Sequence, residues 1–265
     1  MLTNYHTHTT YCDGQSTPQQ IVLTAIEHGF DALGFSGHIY VQDSGYGIED
    51  MAGYINEIKH LKQKYADKIQ IYVGMEEDVL GVVNRSDFDY IIGSSHFFKN
   101  DSGLYSIDTD IESFDKCLSL FDGDVIKLAD AYYSDFCRYI KMRKPDIVGH
   151  FDLITKFDEV DAPKFLNNPE YISLCEKYMI DALSNDVIFE VNTGAISRGY
   201  RTSPYPCIRL LHTIKKYGGK VILSSDSHSN DTLDFWFDEA RNMLKDIGFE
   251  YTYIMYDNEF KKDYL

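Results

Sequence analysis

The 265-residue sequence predicts an α/β fold on a parallel sheet, with closure into a barrel favoured over an open sheet. Three observations lead there. Short apolar runs of strand length alternate with stretches whose apolar residues recur at helical spacing. Seven such units follow one another with no linker, repeat or low-complexity segment between them. A polar or ionisable residue stands at the carboxyl end of most of the apolar runs, and in a βα barrel those ends converge on one face, where active sites are built.

The first run contains His6-Thr7-His8. In an extended strand residues i and i+2 point the same way, so both imidazoles can address one point. Asp13 follows just before Gly14, where the chain turns. Ser16-Thr17-Pro18 reads as a helix start, a hydroxyl cap followed by proline at the first position. Ile21, Val22, Ala25 and Ile26 form that helix's apolar face, and Gly29 ends it. Residues 32–36 read as a short buried strand ending at His38, and residues 39–48 as a loop rich in Gly and Tyr. Met51, Ile55, Ile58, Leu61 and Tyr65 mark an amphipathic helix. Residues 69–73 form a strand followed by Gly74-Met75-Glu76, and residues 90–94 another followed by Ser95-His96.

Residues 97–110 read as a loop. Ile111, Phe114 and Leu118 suggest a short helix, and Val125, Leu128, Ala129, Tyr132 and Phe136 a longer one running to about residue 142. Residues 146–149 form a strand that ends in His150. Asn168-Pro169 opens a helix with Ile172, Cys175, Met179 and Ala182 on one face. A strand over 187–192 and a helix over 205–216 follow, then a strand over 220–224 that leads into Ser225-Asp226-Ser227-His228. Leu233, Phe237, Ala240 and Leu244 mark the last helix, and residues 249–256 a final strand expected outside the main sheet.

Composition excludes several partners. Forty-two acidic against 25 basic residues give a net charge of −17, and the basic clusters are as short as Lys141-Met142-Arg143-Lys144 and Lys215-Lys216. Long nucleic acid, whose phosphates need basic clusters, is not the expected partner. The acid excess reads as a solubility feature. No apolar run approaches the roughly 20 residues of a membrane span. Met1-Leu2-Thr3 leads straight into the first strand without a secretion pattern, so a cytoplasmic, membrane-free protein is expected. The five cysteines are scattered without a CxxC and read as free thiols, Cys12 as a small neighbour of the opening motif.

His6, His8, Asp13, His38, Glu76, His96, His150, Asp226 and His228 therefore form the candidate constellation. Six of the nine histidines fall in it, while His28, His60 and His212 lie on expected helices. Imidazoles suit Zn, Mn or Fe, and carboxylates can bridge two ions. The bland alternative for Glu76, and for its neighbours Glu77 and Asp78, is a solvated carboxylate. Neither a GxSxG elbow nor a P-loop competes with this reading.

The blocks His6-Thr-His8 with Asp13-Gly14, Gly34-Phe35-Ser36-Gly37-His38, Gly74-Met75-Glu76, Gly93-Ser94-Ser95-His96, Val148-Gly149-His150-Phe151-Asp152 and Ser225-Asp226-Ser227-His228 resemble, in order, the motifs of the PHP (polymerase and histidinol phosphatase) family. The resemblance runs from residue 4 to about residue 230. It implies one domain over residues 1–265, a distorted (β/α)7 TIM-like barrel with a trinuclear metal centre at the carboxyl ends of the strands. It further implies that His6, His8, Glu76 and Asp226 hold one ion. Glu76, as a bridge, would hold a second with His96 and His150, and Asp13, His38 and His228 a third.

Within the family the chain is most similar to stand-alone histidinol-phosphate phosphatases. Its length and Glu190-Val191-Asn192-Thr193-Gly194, followed by Arg198 and Arg201, carry that likeness. Gly37 is a departure, because relatives often place there an aspartate that would orient His38. The implied chemistry is metal-assisted hydrolysis of a small phosphomonoester. Glu76, Asp226 and His228 are the candidate catalytic residues, the last two for protonating the leaving group. Arg198, then Arg201, are the expected phosphate clamps because guanidinium matches phosphate bidentately, with His96 also near the substrate. Loops 39–48 and 97–110 are expected to cover the site, with Tyr40, Tyr46, Phe97 and Phe98 as walls for an imidazole-bearing alcohol.

Three other readings stand beside this one. A PHP enzyme could act on another small phosphoester or a nucleotide. An amidohydrolase-type barrel would bridge its metals with a lysine on the fourth strand, and residues 90–96 contain none. A non-catalytic PHP module typically loses ligands, and here the set is full.

Overall fold

The structure is a computed structural model describing residues 1–265. In chain order its strands are β1 (Thr3–Asn4), β2 (Ala32–Phe35), β3 (Gln70–Asp78), β4 (Tyr90–Ser94), β5 (Phe97–Asn100), β6 (Gly103–Ser106), β7 (Ile147–Val148), β8 (Ile188–Asn192), β9 (Lys220–Ser224), β10 (Tyr251–Tyr256) and β11 (Glu259–Tyr264). Its helices are α1 (Pro18–Glu27), α2 (Met51–Lys64), α3 (Ile111–Ser119), α4 (Val125–Arg143), α5 (Pro169–Leu183), α6 (Gly194–Ser197), α7 (Ile208–Lys216) and α8 (Phe237–Ile247). Helix α1 starts where its sequence says. Thr17 accepts from the Gln20 N–H while the Gln20 side chain accepts from the Thr17 N–H, a capping box, with Pro18 at the first helical position.

The sheet runs β1-β2-β3-β4-β7-β8-β9-β10-β11, parallel throughout except for the terminal β10–β11 hairpin. The ring closes at the carboxyl end. There the His8 N–H donates to the Ser227 carbonyl at 2.8 Å and the Ser227 N–H to the His6 carbonyl at 3.1 Å, across a Thr7–Ser227 parallel bridge. At the opposite end β10 stands beside β9, with Tyr253 paired to Ile222. The Tyr5 hydroxyl, which exchanges hydrogen bonds with the Met255 backbone, ties β10 to the first strand. The last strand thus joins the main sheet, contrary to the sequence expectation, because the short β1 leaves β9 an unpaired lower edge that β10 fills.

Side-chain alternation sorts the strands into an inner and an outer face. Tyr5, Ala32, Tyr72, Tyr90, Ile92, Ile147, Ile188, Ile222, Ile254 and Met255 pack inside and plug the lower half of the barrel. Outward, Leu33, Ile71, Val73 and Ile91 meet α1 and α2, while Val148, Phe189, Val191, Val221 and Leu223 meet α4, α5, α7 and α8. Gly34 and Gly74 make room for Tyr90: a Cβ at Gly34 would lie 2.3 Å from its hydroxyl and one at Gly74 2.2 Å from its ring. No helix is long and apolar enough to cross a membrane.

Two further differences from the sequence reading concern the site. Strand β3 continues past Val73 to Asp78, which buries Glu76, Glu77 and Asp78 rather than solvating them. Residues 97–110 are not a plain loop, since β5 and β6 form a hairpin in register Phe97 to Ser106.

Candidate metal centre

All nine residues of the constellation meet above the carboxyl end of the barrel. His6 and His8 follow β1 in extended conformation, Glu76 sits in β3, and His38, His96, His150 and Asp226 follow β2, β4, β7 and β9 directly. Asp226 adopts φ +48°, a left-handed conformation that aspartate tolerates better than most residues. This bend brings His228 back over the site, 4.1 Å ring to ring from His8.

Glu76 is the hub. Its Oε2 lies 2.8 Å from His38 Nδ1, 3.2 Å from His6 Nε2 and 3.6 Å from His8 Nε2. Its Oε1 lies 3.0 Å from His150 Nε2 and 3.4 Å from His96 Nε2. One carboxylate therefore addresses five imidazoles through two oxygens, the arrangement of a bridging ligand. Asp226 Oδ1 faces His8 Nε2 at 3.1 Å and His6 Nε2 at 3.7 Å. Asp13 faces His228 at 3.2 Å, His8 at 3.5 Å and His38 at 3.6 Å.

The donor atoms gather as His6–His8–Asp226, His6–Glu76–His150, His38–Glu76–His96 and His8–Asp13–His38–His228, each group within 4.8 Å. These groups overlap, with His6, His8, His38 and Glu76 each belonging to two. Geometry brings the nine together without by itself dividing them into three sets.

The fit to metal rests on orphaned polar atoms. His6 Nε2, His8 Nε2 and Glu76 Oε2 are fully buried and have no hydrogen-bond partner, though all three face one another. Buried nitrogen and oxygen donors left this way are costly unless something charged satisfies them. A divalent cation does so with the preferred chemistry of both donor types.

Electrostatics point the same way. Burial disfavours the His6 imidazolium, but Glu190, Glu76 and Asp226 outweigh it and raise the ring well above the ordinary histidine range. At His96 burial is outweighed by Glu76 and Asp78, and the ring is pushed up to about 10. His8 moves oppositely: burial, with His228 and His38 beside it, pushes it down to about 3. Burial raises Glu76, yet His38, His6 and His96 hold its carboxyl well below the usual range. Without metal, protons on His6 and His96 offset the buried carboxylates, and ions must displace them.

The supporting contacts include residues the sequence reading did not single out as site residues. Glu190, buried inside β8, accepts from His6 Nδ1 at 2.6 Å, from the His150 N–H at 3.0 Å and from Asn192 at 2.9 Å. It thereby turns His6 Nε2 toward the centre. Its signal in the sequence was a charged residue within the apolar run Ile188-Phe189-Glu190-Val191. Asp78 does the same for His96, its Oδ2 3.2 Å from Nδ1 while accepting the His96 N–H at 2.8 Å. His38 has no such partner. A Cβ on Gly37 would already lie 2.9 Å from Ile48 and 3.0 Å from Cys12, and both ring nitrogens of His38 face carboxylates of the centre instead.

Above the centre opens a cavity of about 420 Å³, the size of a small-molecule site. Arg198 lines it, anchored by Nη1 to the Asp226 carbonyl at 2.9 Å and by Nη2 to Asp226 Oδ2 at 3.0 Å. Arg201 does not line it. Its side chain is buried behind Tyr205, 4.7 Å over that ring, and bonded to Thr155 and Ser203. Lys156, which the sequence reading passed over, is the second cation of the cavity. Of the expected walls Tyr46 is present, against His38 and Phe97. Tyr40 is exposed and Phe98 packs on Phe121, so Tyr200, Tyr205 and Leu153 complete the lining.

Comparison with known proteins identifies relatives of the chain. A family model described as PHP domain matches residues 4–194. A probable histidinol-phosphatase of Schizosaccharomyces pombe is 27% identical over 88% of this chain and 82% of its own length. A probable histidinol-phosphatase of Deinococcus radiodurans is 25% identical over 93% of this chain and 94% of its own. The crystal structure of histidinol phosphate phosphatase from Lactococcus lactis, complexed with zinc, L-histidinol and phosphate, superposes with a TM-score of 0.71 at 20% identity, covering 98% of this chain and 99% of that one. That likeness establishes the shared fold.

Proposed function

The chain belongs to the PHP-domain family, and on that premise we propose that it is a metal-dependent phosphomonoesterase that hydrolyses L-histidinol phosphate to L-histidinol and phosphate. The observation that carries the reading is the Glu76 carboxylate, whose two oxygens divide five imidazoles at the mouth of a small cavity. The naming of relatives that span nearly the whole chain as histidinol-phosphatases supports the substrate.

His6, His8, Glu76 and Asp226 would hold one ion, Glu76 with His96 and His150 a second, and Asp13, His38 and His228 a third, with Zn, Mn or Fe all suited to these donors. Ions in such a site supply Lewis acidity, which lowers the pKa of water and offsets phosphoryl charge. The chain's own residues do the rest. Arg198 and Lys156 bring two fixed cations to the cavity, where a phosphate dianion is better held than in water. Asp226 orients Arg198 and cannot carry a proton at neutral pH. Although burial raises its carboxyl, Arg198, His6 and His8 hold it well below the ordinary range. His228 is engaged at both nitrogens, Nδ1 on the Asp226 carbonyl at 3.0 Å and Nε2 toward Asp13 at 3.2 Å, as suits a ligand held in place.

The test is phosphate release from L-histidinol phosphate by protein reconstituted with Zn, Mn or Fe in turn, against nucleoside phosphates and short oligonucleotides. Histidinol phosphate should be preferred by kcat/KM. Faster turnover of a nucleotide, or none of any ester by metal-replete protein, overturns the reading.

A further inference from the structure

The cavity contains three carboxylates, Asp13, Asp108 and Asp226. Asp13 and Asp226 are committed to the imidazoles of the centre. Asp108 is not, and it arrives by a separate route. The β5–β6 hairpin folds back so that the Ile107 N–H donates to the His96 carbonyl at 3.0 Å, and Ile107 is fully buried. That anchor fixes the next residue, Asp108, in the cavity wall.

The Asp108 carboxylate is held but not saturated. Its Oδ1 accepts from the Ser106 hydroxyl at 3.1 Å, and the Ser106 oxygen in turn accepts the Asp108 N–H at 3.2 Å. Its Oδ2 accepts no hydrogen bond from the protein. Lys156 donates instead to the Asp108 backbone carbonyl, and its Nζ stays 3.6 Å from Oδ2. Burial raises the Asp108 carboxyl, but Lys156, His96, His150 and His38 bring it below its ordinary value, so it is anionic at neutral pH. Oδ2 thus has one long ion pair, with Lys156, and no hydrogen bond, which leaves it able to take a second, closer donor from the cavity.

We propose that Asp108 is the specificity residue of this enzyme, receiving on Oδ2 the ammonium group of a phosphomonoester whose phosphate is held on the metal and Arg198 side of the same cavity. The proposal rests on the phosphatase reading above and assigns the residue that reads the amine of its substrate. A charged acceptor fixed in place favours the ligand that bears the matching donor over the one that lacks it, since losing the donor leaves Oδ2 without a hydrogen bond. The hairpin then acts as a selectivity arm: it carries the reader of the alcohol portion and touches none of the reacting atoms.

The experiment uses two matched pairs of substrates, L-histidinol phosphate with its des-amino analogue and phosphoethanolamine with ethyl phosphate. The quantity read is the ratio of kcat/KM for the amine over the amine-free member. In the wild type this ratio should exceed one by about 10- to 100-fold. Asp108→Asn, which keeps the Ser106 contact and the shape but not the charge, should bring it toward one. Asp108→Glu should leave an intermediate ratio. Calorimetry of L-histidinol against its des-amino analogue reads the same preference without turnover.

A wild-type ratio near one, or a ratio that Asp108→Asn leaves unchanged because both members fall together, overturns the proposal. If the wild type ignores histidinol phosphate but prefers phosphoethanolamine to ethyl phosphate, and Asp108→Asn removes that preference, the proposed substrate fails while the role of Asp108 stands.

Discussion

Glu76 and Glu77 are consecutive on β3, both buried, and opposite in fate. Glu76 points into the barrel and meets imidazole nitrogens alone, with its Oε2 left without a hydrogen bond. Glu77 points outward and is fully answered by protein. It takes the Arg143 guanidinium on both oxygens, the Tyr139 hydroxyl at 2.7 Å and the Val83 N–H at 2.8 Å. The same side chain is a closed ion pair on one face and an open ligand on the other. Burial of a carboxylate is thus not itself a mark of function; what matters is whether its partners are permanent donors or groups that a cation can displace.

Replacing each glutamate tests the contrast, and Glu76→Gln should have the largest effect. It removes the charge that five imidazoles share and should empty more than one ion position. Phosphatase turnover should fall beyond the roughly 100-fold typical of outer-shell changes. Metal analysis alongside phosphate release checks this, and wild-type values for both would end the bridging interpretation.

Next in size is Glu190→Gln. The amide keeps the shape but cannot hold His6 Nδ1 protonated as a carboxylate does, so metal affinity should drop about 10- to 100-fold. Competition with a chelator measures it. Unchanged affinity would mean that His6 is oriented by packing alone.

Glu77→Gln should do the reverse of Glu76→Gln. Metal content and turnover should stay near wild type, while stability falls by about 2 kcal/mol, because Arg143 is left half-paired and only partly exposed to water. Denaturant titration gives the number, and loss of metal in this variant would erase the distinction between the two faces.

A pH dependence sharpens the contrast without any substitution. His96 is raised from 6.5 to about 10 in the metal-free protein. Its contribution to stability is therefore fully present below pH 6.5 and lost as pH rises toward 10. Metal-free protein should lose melting temperature across that window, while metal binding, which displaces the proton, should strengthen over it. Thermal melts with and without metal would show the two slopes diverging, and parallel slopes would remove His96 from the coupled set.

Arg198 and Arg201 show how far local reading reaches. Three residues apart, they carry the same chemical signal. The short helix α6 ends at Arg198 and turns its guanidinium onto Asp226 in the cavity, whereas Arg201 is folded behind Tyr205 and spent on Thr155, Ser203 and Glu159. Nothing between residues 194 and 201 distinguishes them. The distinction comes from Asp226 and Thr155, which belong to other strand ends.

The sequence by itself determined the alternation of strands and helices and which polar residues stand at the strand ends, because both follow from local rules. Period-2 alternation sets the strand faces, and the end of each apolar run sets where a polar side chain emerges. Tertiary structure alone decided which atoms face which. Glu76 divides its oxygens, Glu190 and Asp78 turn the rings, β10 enters the sheet and Asp108 reaches the cavity only once seven strands have closed at Thr7 and Ser227, residues 220 positions apart. Contacts of that separation depend on register and ring closure, which no local window of sequence encodes.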